Sequence, residues 1–183
     1  MKKKLIIALL FVLSVLISLP LMAQAEDLHD AVKAGDLALV QQMLDQGADV
    51  NVRDNDESTP LHTAAVWGNT EIAALLIANG ANVNAWTNNQ RTPLHNAALY
   101  SQNEMVELLV SKGANINAIS YSLSTALHYA ALLGQTEMAA FLISKGSDLN
   151  AIDKDQLTPA MLAEKRGYAK LGEMIRKAAA AKK

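Results

Sequence analysis

Thr59, Thr92, Thr125 and Thr158 stand 33 residues apart, and Gly47, Gly80, Gly113 and Gly146 keep the same step. Asn51, Asn84, Asn117 and Asn150 repeat it again. A unit of this size cannot bury its own apolar face, so successive units must stack into a quasi-one-dimensional array with atypical ends. The ends do differ. Leu28-His29-Asp30-Ala31 lacks the Thr-Pro lead-in, and LTPAMLAEKRGYAKLGEMIRKAAAAKK carries Met161 where other units carry histidine.

One unit, STPLHTAAVWGNTEIAALLIANGANVNAWTNNQ from Ser58, shows the local instructions. The Thr59 hydroxyl suits a helix N-cap, and Pro60 suits the first helical position, where an amide would lack a partner. Leu61, Ala64 and Ala65 give a short first helix its apolar side, with paired alanines allowing close approach. Gly68 ends that helix, since glycine accepts the left-handed exit. Thr70-Glu71 opens a second helix, whose stripe is Ile72, Leu75, Leu76 and Ile77. After Gly80 a turn-rich, hairpin-like loop leads to the next unit.

A 33-residue period carrying T-P-L-H-x-A is the ankyrin signature, and the units resemble ankyrin repeats almost from end to end. The expected fold is all-α: an ankyrin-repeat solenoid of five stacked helix-turn-helix repeats with hairpin-like loops. The repeats fall at about 26–57, 58–90, 91–123, 124–156 and 157–183, within a domain spanning 26–183. The chain departs from the family pattern in three ways. Ser101 replaces the glycine ending the third unit's first helix, which costs roughly 1–2 kcal/mol if the left-handed conformation is kept and otherwise loosens the turn. Ala126 replaces a proline. Glu57, Gln90, Leu123 and Gln156 replace the usual hairpin glycine.

MKKKLIIALLFVLSVLISLPLMAQA joins a basic start, a short apolar run and an A-x-A end, the parts of a secretory signal peptide over residues 1–25. Cleavage is expected between Ala25 and Glu26, with Ala23 as the other small residue of the site. An uncleaved membrane anchor is the alternative, although the run is below the roughly 18–20 residues a spanning helix needs. This places the protein in a bacterial periplasm, with secretion as second choice, and leaves no membrane association after cleavage. Without Lys2, Lys3 and Lys4 the chain keeps 13 basic against 18 acidic residues, a net charge of −5. That balance does not favour nucleic acid. Zero cysteine leaves stability to packing.

His29, His62, His95 and His128 recur near the starts of the first helices. One reading is a metal or acid–base line; the other, which the resemblance implies, is that each ring ties a loop to a helix through backbone hydrogen bonds. Packed helices sit about 8–10 Å apart, whereas zinc needs its nitrogens near 2.0–2.1 Å from one centre. One histidine per layer cannot meet that, so the framework reading is preferred. Glu71, Glu104 and Glu137 recur at the same step and mark helix starts. No nucleophile elbow, P-loop, H-E-x-x-H or dinucleotide motif occurs. No enzyme, cofactor or metal is expected.

The varying positions are where specificity can reside. The resemblance implies a ligand surface across the hairpin tips and adjacent first helices. It takes Arg53, Asn55, Asp56, Ser58, Val66 and Trp67, then Trp86, Asn88, Asn89, Arg91, Leu99 and Tyr100. Ile119, Tyr121, Ser122, Ser124, Leu132 and Leu133 follow, then Ile152, Lys154, Asp155, Leu157, Lys165 and Arg166. Four of the seven aromatic residues after residue 25 (Trp67, Trp86, Tyr100 and Tyr121) fall on it, far above a random share. Tryptophan, tyrosine and arginine dominate binding energy most often, and apolar patches mark interfaces. Ile119, Leu132 and Leu133 extend the patch, while Arg53, Arg91, Asn88 and Asn89 would rim it. The competing reading is packing, with Trp86, Ile119 and Ile152 against one another and Trp67 and Tyr100 filling gaps.

The sequence therefore reads as a monomeric, non-enzymatic scaffold binding another protein through its concave face. An immunity-type protein silencing a toxic enzyme, and an envelope stress factor without a dedicated partner, are the alternatives. KAAAAKK reads as a helix end with favourably placed lysines.

Overall fold

The computed structural model describes residues 27–181, so the cleavage site at Ala23, Ala25 and Glu26 lies outside the described residues. Five helix pairs follow one another. The first pair is α1 (Leu28–Ala34) and α2 (Leu37–Asp45), and the second is α3 (Pro60–Trp67) and α4 (Thr70–Ala78). Then come α5 (Pro93–Leu99) with α6 (Asn103–Ser111), and α7 (Ala126–Leu132) with α8 (Thr136–Ser144). The last pair is α9 (Pro159–Lys165) and α10 (Ala169–Ala181). First helices stack in the order α1, α3, α5, α7, α9. Among the described residues there is no strand, and no helix is long and apolar enough to cross a membrane.

The core is as regular as the sequence. Leu61, Leu94 and Leu127 are buried at one equivalent position, and Ala64-Ala65, Ala97-Ala98 and Ala130-Ala131 let the first helices meet closely. Ile72 and Leu76, Met105 and Leu109, and Met138 and Leu142 bury the inner stripes of the second helices. Ser147 interrupts the pattern. It is buried where the other units place Ala48, Ala81 and Ala114, and its Oγ has no hydrogen-bond partner among the described residues. A buried hydroxyl without a partner costs about 1–3 kcal/mol. Ser147→Ala is therefore expected to raise stability by about 1 kcal/mol, read as a higher urea midpoint with an unchanged denaturant slope.

Polar side chains tie each unit to its neighbours. Asn51 Nδ2 donates to the Gly80 carbonyl while its Oδ1 accepts from Asn82 N–H. Asn84 does the same with Gly113 and Asn115, and Asn117 with Gly146 and Asp148. At the far end of the first helices, Asn69, Gln102 and Gln135 reach back to the carbonyls of Val32, Val66 and Ala98. This second set, again at a 33-residue step, adds side-chain donors to carbonyls in the last turns of the first helices, two of which, Val32 O and Ala98 O, also accept a backbone N–H.

The turn at Ser101 is not loosened. Ser101 keeps the left-handed conformation at φ 60°, the exit bond from Gln102 N–H to Ala97 O closes at 2.9 Å, and its hydroxyl accepts from Gln135 Nε2 at 2.6 Å. The serine thus gains an inter-unit hydrogen bond that offsets its backbone strain.

Candidate binding surface

The hairpins are built alike. Asp54, Thr87, Ser120 and Asp153 each donate their N–H to the carbonyl four residues on and receive the N–H three residues on. Asp54 Oδ1 also accepts from the amides of Asp56 and Ser58, and Asp153 repeats this with Asp155 and Leu157. A short oxygen-bearing side chain at this position organises the turn. Sequence reasoning missed it, although the 33-residue step marks it. The tips are joined by backbone rungs: Asn88 N–H to Asp56 O, Tyr121 N–H to Asn89 O, and Lys154 N–H to Ser122 O.

Glu57, Gln90, Leu123 and Gln156 hold φ between 54° and 60° in these turns. This conformation costs a side-chain-bearing residue about 1–2 kcal/mol relative to glycine, which gives part of the gain back as unfolded-chain entropy. Gln90→Gly should therefore raise stability by about 0.5–1 kcal/mol. Thermal unfolding checks it, and a lowered Tm would show that the Gln90 side chain stabilises the fold.

The histidines are framework. His62 Nδ1 accepts the Thr59 backbone N–H at 3.1 Å, so the ring carries its proton on Nε2 and donates it to the Arg91 carbonyl at 3.0 Å. His95 bridges Thr92 to the carbonyls of Ala118 and Ser124, and His128 bridges Thr125 to Leu157 O. The Thr59 hydroxyl lies 2.9 Å from the same His62 nitrogen, so threonine and histidine cap the helix together. In the last unit, where Met161 stands in the histidine's place, the threonine caps without a ring, Thr158 Oγ1 accepting from Met161 N–H. Burial lowers the His62 and His95 pKa values to about 4 and lowers that of His128. His29 bonds the Thr63 hydroxyl and the Val52 carbonyl instead. Among the described residues no group of three or more His, Asp or Glu is placed to hold a metal ion.

The residues expected to meet a partner fall into two rows. Along the hairpins, Arg53, Trp86, Asn88, Asn89, Ile119 and Tyr121 are exposed. At the C-terminal ends of α3, α5 and α7 stand Trp67, Tyr100 and Leu133, with Leu132 half-buried against the core. A seven-residue first helix such as α5 separates the rows by about 10 Å. Trp67, Trp86, Tyr100 and Tyr121 are 53%, 58%, 52% and 62% exposed, so they are not core-filling residues. Trp86 and Ile119 line a shared recess of about 310 Å³ between two hairpins, floored by Ala118 and edged by Asn84, Asn115, Gln90 and Thr92.

Some of these side chains also serve the scaffold. Arg53 Nη1 donates to the Trp86 and Glu57 carbonyls and pairs with the Glu57 carboxylate, while its guanidinium lies 5.7 Å from the Trp86 ring centroid. Arg91 is half-buried, 5.7 Å from the ring of Tyr129, which packs edge-on against His95. Two further cations cover rings across units: Lys33 at 5.6 Å from Trp67 and Lys154 at 3.4 Å from Tyr121. Lys33 was not singled out in the sequence, although it is the first unit's equivalent of Val66.

A family model described as ankyrin repeats (3 copies) matches residues 28–120, and one described as ankyrin repeat matches residues 123–154. No curated protein matches the chain.

Proposed function

The chain belongs to the ankyrin-repeat family, whose members are generally non-catalytic scaffolds for protein–protein interaction, and from that premise we propose that it is a non-enzymatic periplasmic scaffold that docks one protein partner on its hairpin and first-helix face. The observation that carries this reading is the half-or-more exposure of four aromatic side chains in two rows on a rigid frame. Rigid aromatic anchors lose little conformational entropy on docking, and such residues commonly dominate binding energy. Trp67, Trp86, Tyr100 and Tyr121 are the anchors, helped by Ile119, Leu132 and Leu133. Arg53 acts mainly by holding Trp86, while Arg91, Asn88 and Asn89 form the polar margin. The periplasmic assignment rests on the N-terminal sequence pattern alone.

The test is a crosslinked pull-down from periplasmic extract with the wild type and with Trp67→Ala/Trp86→Ala. One protein should be enriched by the wild type, and its affinity should fall by about 2 kcal/mol or more, roughly thirtyfold, in the variant. Matching profiles would return the tryptophans to a packing role. Fractionation of cells checks the compartment.

A further inference from the structure

The recess between the hairpins of Trp86 and Ile119 has no charged residue in its lining. Trp86, Ile119 and Ala118 supply its apolar surface, and Asn84, Gln90 and Asn115 bring three carboxamides to its edge. No other pair of adjacent hairpins carries this set. One 33-residue step earlier, Arg53 and Glu57 stand in place of Trp86 and Gln90. One step later, Ile119, Leu123 and Asp148 stand in place of Trp86, Gln90 and Asn115. Asn84 and Ala118 belong to the repeated scaffold, with Asn51 and Ala85 before them and Asn117 and Ala151 after. Trp86 and Gln90 are therefore what this one recess adds to a common frame.

The carboxamides keep hydrogen-bonding capacity. Each carries two N–H groups and an oxygen with two lone pairs. Asn84 uses one N–H on Gly113 O and one lone pair on the Asn115 amide, so one of each remains on a side chain already held in place. Asn115 Oδ1 accepts from Asn117 N–H, while its amino group and the whole Gln90 carboxamide make no hydrogen bond among the described residues. Groups that donate and accept side by side match hydroxyls, which do both. The indole offers a negative π face, which attracts the partly positive C–H groups on the flat side of a sugar ring.

From this lining we infer that the recess is a binding site for a neutral saccharide of one or two rings, its C–H face on the Trp86 indole and its hydroxyls on Asn84, Gln90 and Asn115. The volume of about 310 Å³ lies at the small end of the roughly 300–1,000 Å³ that ligand pockets span. A charged ligand finds no counter-ion in the lining. An acyl chain would take water from the carboxamides and return no hydrogen bond. An extended peptide offers one backbone donor and one acceptor per residue, whereas vicinal hydroxyls round a compact ring meet several carboxamides at once. The site goes beyond the protein-docking reading and does not rest on it, since Trp67, Tyr100 and Tyr121 lie outside the lining.

With Trp67→Phe in place, the fluorescence of the purified protein reports Trp86 alone. Titrations use glucose, N-acetylglucosamine, maltose and the β-1,4-linked dimer of N-acetylglucosamine, with glucuronate and a neutral proline-rich peptide for comparison. At least one neutral sugar should bind with a Kd of about 1 mM or tighter, and should shift the side-chain amide NMR signals of Asn84, Gln90 and Asn115. By the same NMR titration, Trp86→Ala should weaken that sugar at least about tenfold. Gln90→Gly should weaken it about three- to tenfold while raising the Tm, a combination that general unfolding cannot produce. Gln90→Leu, the residue the next hairpin carries at this position, checks the loss with a side chain retained. Glu104→Gln on the outer helix should change nothing. A monosaccharide as tight as its dimer assigns the site to a free sugar, and a tighter dimer assigns it to a glycan chain; either supports the site. No sugar bound at about 10 mM, a sugar indifferent to Trp86 and Gln90, or tighter binding of glucuronate or the peptide than of every neutral sugar would overturn it.

Discussion

Between pH 7 and pH 4 the protein should lose about 6 kcal/mol of stability through two histidines alone. His62 and His95 have folded pKa values of about 4 against an ordinary 6.5, chiefly because burial penalises the charged ring. The sign follows from proton uptake. Below 6.5 the unfolded chain binds protons at these rings and the folded chain does not, so falling pH favours unfolding until the folded rings also titrate near 4. Each shift of about 2.5 units amounts to about 3 kcal/mol. At pH 5 about 2 kcal/mol of it is already gone for each ring. His128 is shifted in the same direction and adds to the loss. A domain stable by only 5–15 kcal/mol is brought close to unfolding. Urea midpoints across this range should fall steadily from about pH 6.5 downward. A flat profile down to about pH 4 would mean that the rings charge in place without cost.

His95→Ala should destabilise the protein by about 3–5 kcal/mol. The ring is 1% exposed, accepts the Thr92 N–H and donates toward the carbonyls of Ala118 and Ser124. Removing it leaves a cavity beside Tyr129, which packs on it edge-on, and strands the Thr92 N–H and the Ala118 carbonyl, while Ser124 O keeps the Ser120 N–H. Packing and hydrogen-bond losses add here because no alanine can meet either. The variant should also show a shallower pH dependence, by one histidine's share. A loss below about 1 kcal/mol would mean that water replaces the ring's bonds.

Much of the fold was legible because each signal is local. Thr59-Pro60 starts a helix, Gly68 ends it in the left-handed conformation, and Leu61 with Ala64 and Ala65 declares the buried side. What escaped notice depends on partners in another unit. Asn69, Gln102 and Gln135 look like ordinary helix-start residues until the carbonyls they reach are known. Asp54, Thr87, Ser120 and Asp153 differ in type and share only an oxygen at the right distance from a turn. For the binding surface, exposure of the aromatics follows from their register. The cations over Trp67, Trp86 and Tyr121 do not, because they depend on side-chain reach between units. Ser101 illustrates the same limit: its strain is visible in the sequence, whereas the hydrogen bond from Gln135 is not.

The asparagine clamps and histidine ties bear on how such a chain can change length. Their donors and acceptors recur at constant separations, so a duplicated block of 33 residues inserted in register would find each partner in place on both sides. An insertion of any other length within the array would shift donors away from acceptors at every tie that crosses it. Growth by whole-unit duplication is therefore the route this architecture tolerates, and each added unit would extend both rows of the docking face by one step.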